Sequence, residues 1–312
     1  MQTAAATSLN KNLSVSQTLQ AACENHPALA PLIDHFSALY TTRAELIEGL
    51  ADKLAHDKNC PPPSISKKRL QHGVALLSES DLSWAVHYYP EIEADIFPYL
   101  EDIGSLRPHV TKFREACSLG TLSLEKLLNA VLHSNESELL GSAEKSDIPP
   151  ESLLFITQQI LSCALGAYVI VHKEVLSDLF WREGYCPVCG SFPDISALQR
   201  PDADQSEFLA GGGGKKMMHC SICAHEWHFR RGTCPACNND EAGAIHYFHV
   251  EDRPAERVEY CEKCSSYLNN IDLRNTTATP ELSAAPLTLL HLDMQAAQNK
   301  LVPLTRNIWN TF

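Results

Sequence analysis

Eight of the twelve cysteines stand in four Cys-x-x-Cys pairs within residues 186–264. The pairs are Cys186/Cys189, Cys220/Cys223, Cys234/Cys237 and Cys261/Cys264. A turn of this size brings two sulfur atoms to one point, which is half of a tetrahedral thiolate site. Two halves make one site, so the four pairs predict two four-cysteine metal sites with these eight cysteines as the metal ligands.

The spacers between the pairs indicate which pairs share a metal. They contain 30, 10 and 23 residues, in chain order. In a ribbon or rubredoxin-like site, two such Cys-x-x-Cys turns, called knuckles, are joined through a strand hairpin, which needs roughly 15–20 residues or more. The 10-residue spacer is short for that. We therefore expect sequential pairing, with the first two pairs on one metal and the last two on the other, and crossed pairing stays open.

The residue after each pair predicts the local geometry. Gly190 and Asn238 suit a backbone with positive φ, which glycine adopts freely and asparagine tolerates. Ala224 and Ser265 suit it less well, so we expect those two knuckles to differ in geometry from the others. The runs 217–219, 226–229 and 245–250 around the pairs predict strands.

Four thiolates bind either zinc, which holds a fold, or iron, which forms a one-electron rubredoxin-type centre. Ligand chemistry alone favours structural zinc. Thiol–disulfide exchange is a weaker interpretation, because four pairs lie among hairpin-like strands. A nucleic-acid-binding ribbon is a further alternative, but residues 184–278 contain thirteen acidic and nine basic residues. Phosphate binding needs a basic face, so we expect no nucleic-acid partner.

Five histidines lie near the pairs, and we expect them beside the sites or on the surface, because eight cysteines already fill two sites: His219, His225, His228, His246 and His249. Trp227 and Phe229 are expected to pack a small core between the knuckles. No catalytic set of residues and no nucleotide-binding motif stands out, so we expect no catalytic residues, no organic cofactor site and no enzyme activity.

Composition sets the class of protein. The chain has 312 residues, 44% of them hydrophobic, and a formal net charge of −13, which allows one large or two ordinary domains. The first residues have no basic region leading into an apolar run, so we expect a cytoplasmic protein with reduced thiols. The remaining cysteines are expected to be plain thiols: Cys23, Cys60, Cys117 and Cys163.

Apolar spacing of three and four residues predicts a helical first half. Helical patterns occupy 16–57, 70–78, 91–100, 108–117, 122–133 and 151–181, and again 287–301. The stretch 153–171 is apolar enough to be weighed as a membrane span, but Thr157, Gln158 and Gln159 lie inside it, so we expect a buried core helix and no membrane insertion. The segment 202–214, which ends in four glycines, is expected to be a mobile loop.

These patterns predict a multidomain α+β chain. The expected divisions are a flexible terminus, an all-α domain, two small four-cysteine rubredoxin-like or zinc-ribbon modules, and a C-terminal helical tail that packs back on the protein. Their bounds are 1–15, 16–182, 183–230, 231–278 and 279–312. The oligomeric state cannot be read from the sequence.

The motifs across 183–274 resemble the FdhE family of formate dehydrogenase accessory proteins. The resemblance is carried by Tyr-Cys-Pro-Val-Cys-Gly-Ser-Phe-Pro (185–193), Met-His-Cys-Ser-Ile-Cys-Ala-His-Glu-Trp-His (218–228), Thr-Cys-Pro-Ala-Cys-Asn (233–238), His-Tyr (246–247) and Glu-Tyr-Cys-Glu-Lys-Cys-Ser-Ser-Tyr-Leu (259–268). The second and fourth knuckles lack the glycine that follows the first. In the first half the likeness is one of architecture.

The resemblance implies an all-α domain followed by two rubredoxin-like metal modules. It also implies a cytoplasmic, non-enzymatic factor that binds the catalytic subunit of formate dehydrogenase and assists its maturation before export. The resemblance also implies that iron is the preferred metal, with zinc as the second choice. A redox- or iron-sensing binding protein is the alternative function. The cluster Trp227, His228, Phe229, Arg230 and Arg231 is our expected partner-binding face.

Overall fold

A computed structural model describes residues 11–200, 214–250, 252–307 and 310. Most of the predicted glycine loop (202–213) and residues 1–10 of the predicted flexible terminus lie outside these residues. The described helices are α1 Val15–Asn25, α2 Ala30–Leu54, α3 Lys67–Gln71, α4 Ser83–Val86, α5 Tyr89–Asp102, α6 Arg107–Ser118, α7 Leu124–Leu132, α8 Glu136–Ser146, α9 Pro150–Val171, α10 Lys173–Leu176, α11 Ala285–Thr288 and α12 Leu290–Gln298.

The described strands lie mainly between α10 and α11. They are β1 Lys11–Asn12, β2 Pro193–Leu198, β3 Lys216–Cys220, β4 Glu226–Phe229, β5 Ile245–His249, β6 Glu256–Cys261, β7 Ser266–Asp272, β8 Ala278–Thr279 and β9 Val302–Pro303. The three strands predicted at 217–219, 226–229 and 245–250 are thus present as β3, β4 and β5. β2, β6 and β7 were not predicted.

Helix ends follow local capping chemistry. Ser14 and Gln17 form a reciprocal capping box at α1, in which the Ser14 hydroxyl accepts from the Gln17 N–H. At α8 the Asn135 side chain accepts a hydrogen bond from the Glu138 N–H. Proline stands in the first turn of α5, α6 and α9, where its missing N–H costs nothing. The helical pattern predicted from 16 to 57 is present as two helices, with α1 ending at Asn25 and α2 beginning at Ala30.

The described chain forms two compact units, each made of separated segments. The sheet unit takes its described residues from 1–35, 194–219 and 228–312, and the helical unit takes its residues from 36–193 and 220–227. These units group residues in space and leave the predicted divisions at 182/183, 230/231 and 278/279 as predictions.

In the helical unit, α9 is the central element. It packs against α5, α6, α7 and α8. By length and composition α9 could cross a membrane, and 61% of its most apolar window is buried inside the protein. The buried part includes Leu153, Ile156 and Ile160, each fully shielded from solvent. This is the packing of a core helix, as the sequence predicts.

One sheet organises the sheet unit. The strand order is β4-β3-β2-β7-β6-β5, and β9 pairs with β7. β5, β6 and β7 form an antiparallel meander, with Tyr247 opposite Glu259 and Glu259 opposite Leu268. β2 runs parallel to β7, with Ile195 opposite Asn269.

The predicted C-terminal helix is present as α11 and α12, which cover this sheet. Their apolar side chains join those of the strands in a single buried cluster: Ile195, Ala197, Val258, Tyr267, Ile271, Leu273, Leu282, Ala285, Leu289, Leu292 and Ala296. Burial of this apolar surface stabilises the contact between the helices and the sheet. It also holds the meander that carries one of the two cysteine groups.

Candidate metal centres

The fold brings the eight cysteines together in two groups of four. Cys186, Cys189, Cys220 and Cys223 form the first centre, and Cys234, Cys237, Cys261 and Cys264 form the second. Within each group all sulfur atoms lie within 4.8 Å of one another. This is the sequential grouping that the spacers favour, and the crossed arrangement is absent from the described residues. The first centre lies in the helical unit and the second in the sheet unit.

The sulfur–sulfur distances fit a tetrahedral metal. In the first centre Cys186 and Cys223 are 3.5 Å apart, and Cys189 and Cys220 are 3.3 Å apart. In the second centre the corresponding distances are 3.6 and 3.8 Å. A tetrahedron with metal–sulfur bonds of about 2.3 Å has edges of about 3.8 Å. All eight side chains are free thiols. The donor set therefore fits zinc or iron, both of which bind four thiolates tetrahedrally.

Each centre combines a knuckle in a loop with a knuckle at the turn of a hairpin. Residues 220–225 connect β3 to β4 in the first centre, and residues 261–265 lie at the β6–β7 turn in the second. The remaining knuckles, 186–190 and 234–238, lie outside the strands. The hairpin turn fixes the positions of two cysteines in each centre. Packing of the rest of the chain then places the loop knuckle next to that turn.

All four knuckles share one backbone geometry, which corrects the expected difference. Gly190, Ala224, Asn238 and Ser265 all have positive φ, between 55° and 81°. Each donates its N–H to the carbonyl of the first cysteine in its pair, over 2.9–3.2 Å. The turn that converges two sulfur atoms requires this conformation, so the tertiary arrangement overrides the preference of alanine and serine for negative φ.

Backbone amides approach the sulfur atoms of the first centre. The Val188 N–H donates to Cys186 Sγ over 3.4 Å, and the Ile222 N–H donates to Cys220 Sγ over 3.5 Å. Hydrogen bonds of this kind stabilise the negative charge of a thiolate. They favour the deprotonated form that a metal requires.

The first knuckle is anchored to the helical unit by backbone and side-chain contacts. The N–H groups of Leu76 and Leu77 donate to the carbonyls of Pro187 and Val188 over 2.8 and 2.9 Å. The Tyr185 hydroxyl, just before the knuckle, donates to the Gly73 carbonyl over 2.6 Å. These contacts fix the position of two ligands.

The two centres differ in exposure. All four cysteines of the first centre are buried. In the second centre Cys234 and Cys261 are buried, Cys264 is half-buried and Cys237 is exposed. Access of water, oxidants and chelators to a metal depends on the shell around it. The first centre is therefore shielded and the second is open on one side.

Each group contains one thiol that ionises readily. Hydrogen bonds from Cys186, Cys220 and Cys223 hold the pKa of Cys189 well below its ordinary value. Burial raises the pKa of Cys264, but hydrogen bonds from Ser266 and the neighbouring cysteines outweigh it and lower the pKa to about 7. The thiolate is the form that binds metals. A Cys264 thiolate is thus available in the second group near neutral pH, and the lowered pKa of Cys189 favours a thiolate in the first group.

The predicted histidines lie outside both groups. His219 contacts Asp194, with 2.9 Å between Nδ1 and Oδ1, and His246 contacts Glu262, with 3.0 Å between Nε2 and Oε2. His249 Nδ1 lies 3.0 Å from the Val250 carbonyl. His225 is buried and His228 is exposed.

The expected partner-binding face is only partly on the surface. Trp227 and Phe229 are 4% and 1% exposed, as expected of core residues, and the Trp227 indole N–H donates to the Glu183 carbonyl over 3.3 Å. His228, Arg230 and Arg231 are exposed. Alternation along β4 explains the split, because successive side chains of a strand point to opposite faces. The two aromatic residues are therefore removed from the expected face.

A third group of potential ligands was not predicted. His26, Glu256 and His291 bring two imidazoles and a carboxylate within 4.8 Å of one another. They come from the end of α1, the start of β6 and the first turn of α12. No spacing motif connects three residues so distant in sequence, and only the packing of the sheet unit brings them together.

The sequence is similar to curated FdhE proteins. It is 33% identical over 179 residues to the FdhE protein of Escherichia coli O1:K1, which covers 57% of this chain and 51% of that protein. It is 29% identical over 170 residues to the FdhE homolog of Aquifex aeolicus, covering 54% of this chain and 56% of the relative. The alignment thus spans about half the length of these two relatives.

A longer alignment joins the chain to the FdhE homolog of Shewanella baltica OS195, with 24% identity over 284 residues, 85% of this chain and 78% of the relative. The fold is similar to the crystal structure of the FdhE protein from Pseudomonas aeruginosa, with a TM-score of 0.56 and 19% identity over 95% of this chain and 93% of that one. No family model matches the sequence.

Proposed function

Because this chain belongs to the FdhE family, we propose that it is an accessory factor for formate dehydrogenase. It binds the catalytic subunit of that enzyme in the cytoplasm, assists its maturation before export and has no catalytic activity of its own. The observation that carries the proposal is the pair of four-thiol centres in a chain similar to FdhE proteins in sequence and in fold.

The eight cysteines hold two metal ions in this proposal. Iron is the metal that the family resemblance favours, and zinc suits the same ligands. Bound metal cross-links the loop knuckles to the hairpins and so contributes folding free energy directly. The surface that the partner meets is thereby held in one shape.

Partner binding is assigned to an arginine-rich rim. Arg231, Arg257 and Arg274 line an open cavity of about 330 Å³ together with Tyr247. Arg257 and Arg274 both contact Asp272, whereas Arg231 forms no ion pair with any residue that the structure describes. Arginine and tyrosine are enriched among the residues that carry most of the binding energy at protein interfaces. The rim complements an acidic or carbonyl-rich segment of the catalytic subunit.

Co-purification of the tagged chain with the catalytic subunit tests this assignment. Replacing Arg231→Ala is expected to weaken binding by about 5- to 30-fold, the range of an arginine anchor. Arg107→Ala is the matched control and should bind normally, because Arg107 is an exposed arginine of the helical unit that donates to the Glu101 carbonyl over 3.0 Å. Equal binding by both variants at full metal content contradicts the rim, and absence of binding by the unaltered chain contradicts the proposed function.

A redox- or iron-sensing binding protein is the second candidate. The open side of the second centre favours it, because Cys237 is exposed and Cys264 is half-buried. An oxidant can reach such a site. Under this function, partner affinity of the iron-loaded chain changes between reducing and oxidising buffer, whereas the accessory role alone requires no such change.

A further inference from the structure

We propose that His26, Glu256 and His291 form a third metal site, for a transition-metal dication such as zinc or ferrous iron. Two imidazoles and one carboxylate are a donor set that both ions accept, with further positions left for water or another ligand. The site is distinct from the two cysteine centres and does not depend on the proposed function.

The distances suit a shared metal. Nε2 of His26 lies 3.0 Å from Oε2 of Glu256, and Nε2 of His291 lies 3.1 Å from the same oxygen. Ligand atoms bound at about 2.0–2.1 Å are separated by about 2.9–3.4 Å in octahedral and tetrahedral geometry. The two imidazole rings stack, with centroids 4.1 Å apart. Both rings thus place a nitrogen about 3 Å from the same carboxylate oxygen.

Hydrogen bonding accounts for only part of this arrangement. His26 and Glu256 are aligned as a hydrogen-bonded pair. Both nitrogens of His291 are buried. Nε2 lies 3.1 Å from Oε2 of Glu256 but is poorly aligned for a hydrogen bond, and Nδ1 has no hydrogen-bond partner in the part of the chain that the structure describes. A buried imidazole nitrogen without a well-aligned partner costs free energy, and a metal at this point gives His291 Nε2 such a partner.

The backbone around the ligands is fixed. His26 ends α1 and donates its N–H to the Ala22 carbonyl over 2.7 Å, and its own carbonyl accepts from the Leu29 N–H over 2.9 Å. Glu256 donates its N–H to the Arg253 carbonyl over 3.0 Å. Ligands held in this way lose little conformational entropy when a metal binds.

Arg253 orients the carboxylate from the far side. Its Nη1 lies 3.6 Å from Oε1 of Glu256, and its Nη2 donates to the Asn25 carbonyl. Ligating carboxylates are commonly held by such an outer partner. The arginine leaves Oε2 to the histidines, and its positive charge makes this site a weaker binder of dications than the thiolate centres.

The three ligand side chains are partly open to solvent. They are 12–19% exposed, so an ion can enter the site.

The test uses the full chain with its cysteine centres filled with zinc, titrated with cobalt(II) alone. Cobalt bound by nitrogen and oxygen absorbs weakly and is distinguished from cobalt bound by thiolates, which absorbs strongly at longer wavelength. We expect one equivalent of nitrogen- and oxygen-bound cobalt per chain while the zinc content stays at two. Because loss of an outer partner already costs about 10- to 100-fold, loss of a ligand is expected to cost about 100-fold or more.

His291→Ala removes a ligand. Glu256→Gln replaces the carboxylate by a neutral amide, a much weaker ligand of the same shape, so it decides the test if the first variant fails to fold. His246→Ala is the matched control, because His246 pairs with Glu262 over 3.0 Å without a third ligand among the described residues. The site is supported if His291→Ala and Glu256→Gln lose cobalt binding and His246→Ala retains it. The proposal is overturned if the zinc-loaded chain binds no cobalt through nitrogen and oxygen, or if Glu256→Gln binds cobalt as tightly as the unaltered chain.

Discussion

Four different residues occupy the same left-handed backbone position after a cysteine pair. Gly190 adopts it freely, whereas Ala224 and Ser265 do so against their steric preference, which costs roughly 1–2 kcal/mol. The strain is local to one residue, and the hydrogen bond to the first cysteine of the pair offsets part of it. The backbone geometry of each knuckle is therefore set by the need to bring two sulfur atoms together, and not by the residue that follows the pair.

Ala224→Gly is expected to stabilise the metal-loaded protein. Relief of the left-handed strain exceeds the extra backbone entropy of glycine in the unfolded chain, for a net gain of roughly 0.5–1 kcal/mol. Chemical denaturation of the metal-loaded chain measures it. Ala236→Gly, at an exposed position inside a knuckle without positive φ, should instead lower stability by about as much. A loss of stability in Ala224→Gly argues against strain at this position.

The buried carboxyl of Asp293 predicts a pH dependence of stability. It accepts hydrogen bonds from the Tyr267 hydroxyl over 2.7 Å and the Asn269 amide over 3.0 Å. Burial raises its pKa from 3.8 to about 6, although both hydrogen bonds oppose the shift. Between these values the folded protein binds more protons than the unfolded chain, so this group's contribution to stability falls as pH rises from about 4 to about 6.

Asp293→Asn keeps the acceptor and removes the ionisation. The variant should therefore be more stable than the unaltered chain by about 1–3 kcal/mol at pH 7 and about equal to it at pH 4. Urea unfolding at both pH values measures the difference. Asp178→Asn, an exposed position, is the control. A stability difference that does not change with pH contradicts the role of Asp293.

At the scale of elements, the central helix α9 meets α2 through a glycine. A Cβ atom at Gly166 would lie 3.1–3.4 Å from three carbons of Ile47, which is tighter than ordinary packing. The small residue thus lets the two helices approach closely. Protein interiors are close-packed, so added volume at this point must move a neighbour.

Gly166→Val is expected to lower the free energy of unfolding by about 1–3 kcal/mol, the usual cost of overpacking. Gly141→Val is the control, because Gly141 also lies in a helix, α8, but has nothing within 4 Å of the added Cβ. Its free energy of unfolding should be nearly unchanged. Thermal unfolding of the two variants compares them. Equal stability of the two variants would show that the contact with Ile47 imposes no constraint.

At the scale of the whole molecule, the chain carries one sealed and one open thiolate centre. The sealed centre has four buried ligands in the helical unit, and the open centre has an exposed Cys237 in the sheet unit. The two centres therefore have the same four-cysteine ligand set but differ in their access to solvent. This difference predicts that a metal in the second centre exchanges faster than a metal in the first.

Treatment of the metal-loaded chain with a chelator should release the two metals at different rates. Release from the open centre is expected to be faster by roughly an order of magnitude, because the sealed centre must first open locally. A colorimetric metal indicator follows both phases. Cys237→Ser should remove the fast phase and Cys189→Ser the slow one. A single phase that accounts for both metals would contradict the difference in access.

The sequence by itself indicated the eight cysteines of the two groups, the helical first half and the buried apolar helix, and it favoured the sequential grouping. These follow from local rules, since a spacing of three residues converges two sulfurs and a period near 3.6 marks a helix face. Tertiary structure alone decided the common conformation of Ala224 and Ser265, the burial of Trp227 and the meeting of His26 with Glu256. The conformation of Ala224 and Ser265 is imposed by the turn that converges two sulfur atoms, against the preference of the residue type. The burial of Trp227 and the contact of His26 with Glu256 depend on elements far apart in the chain, and such contacts leave no spacing pattern in the sequence.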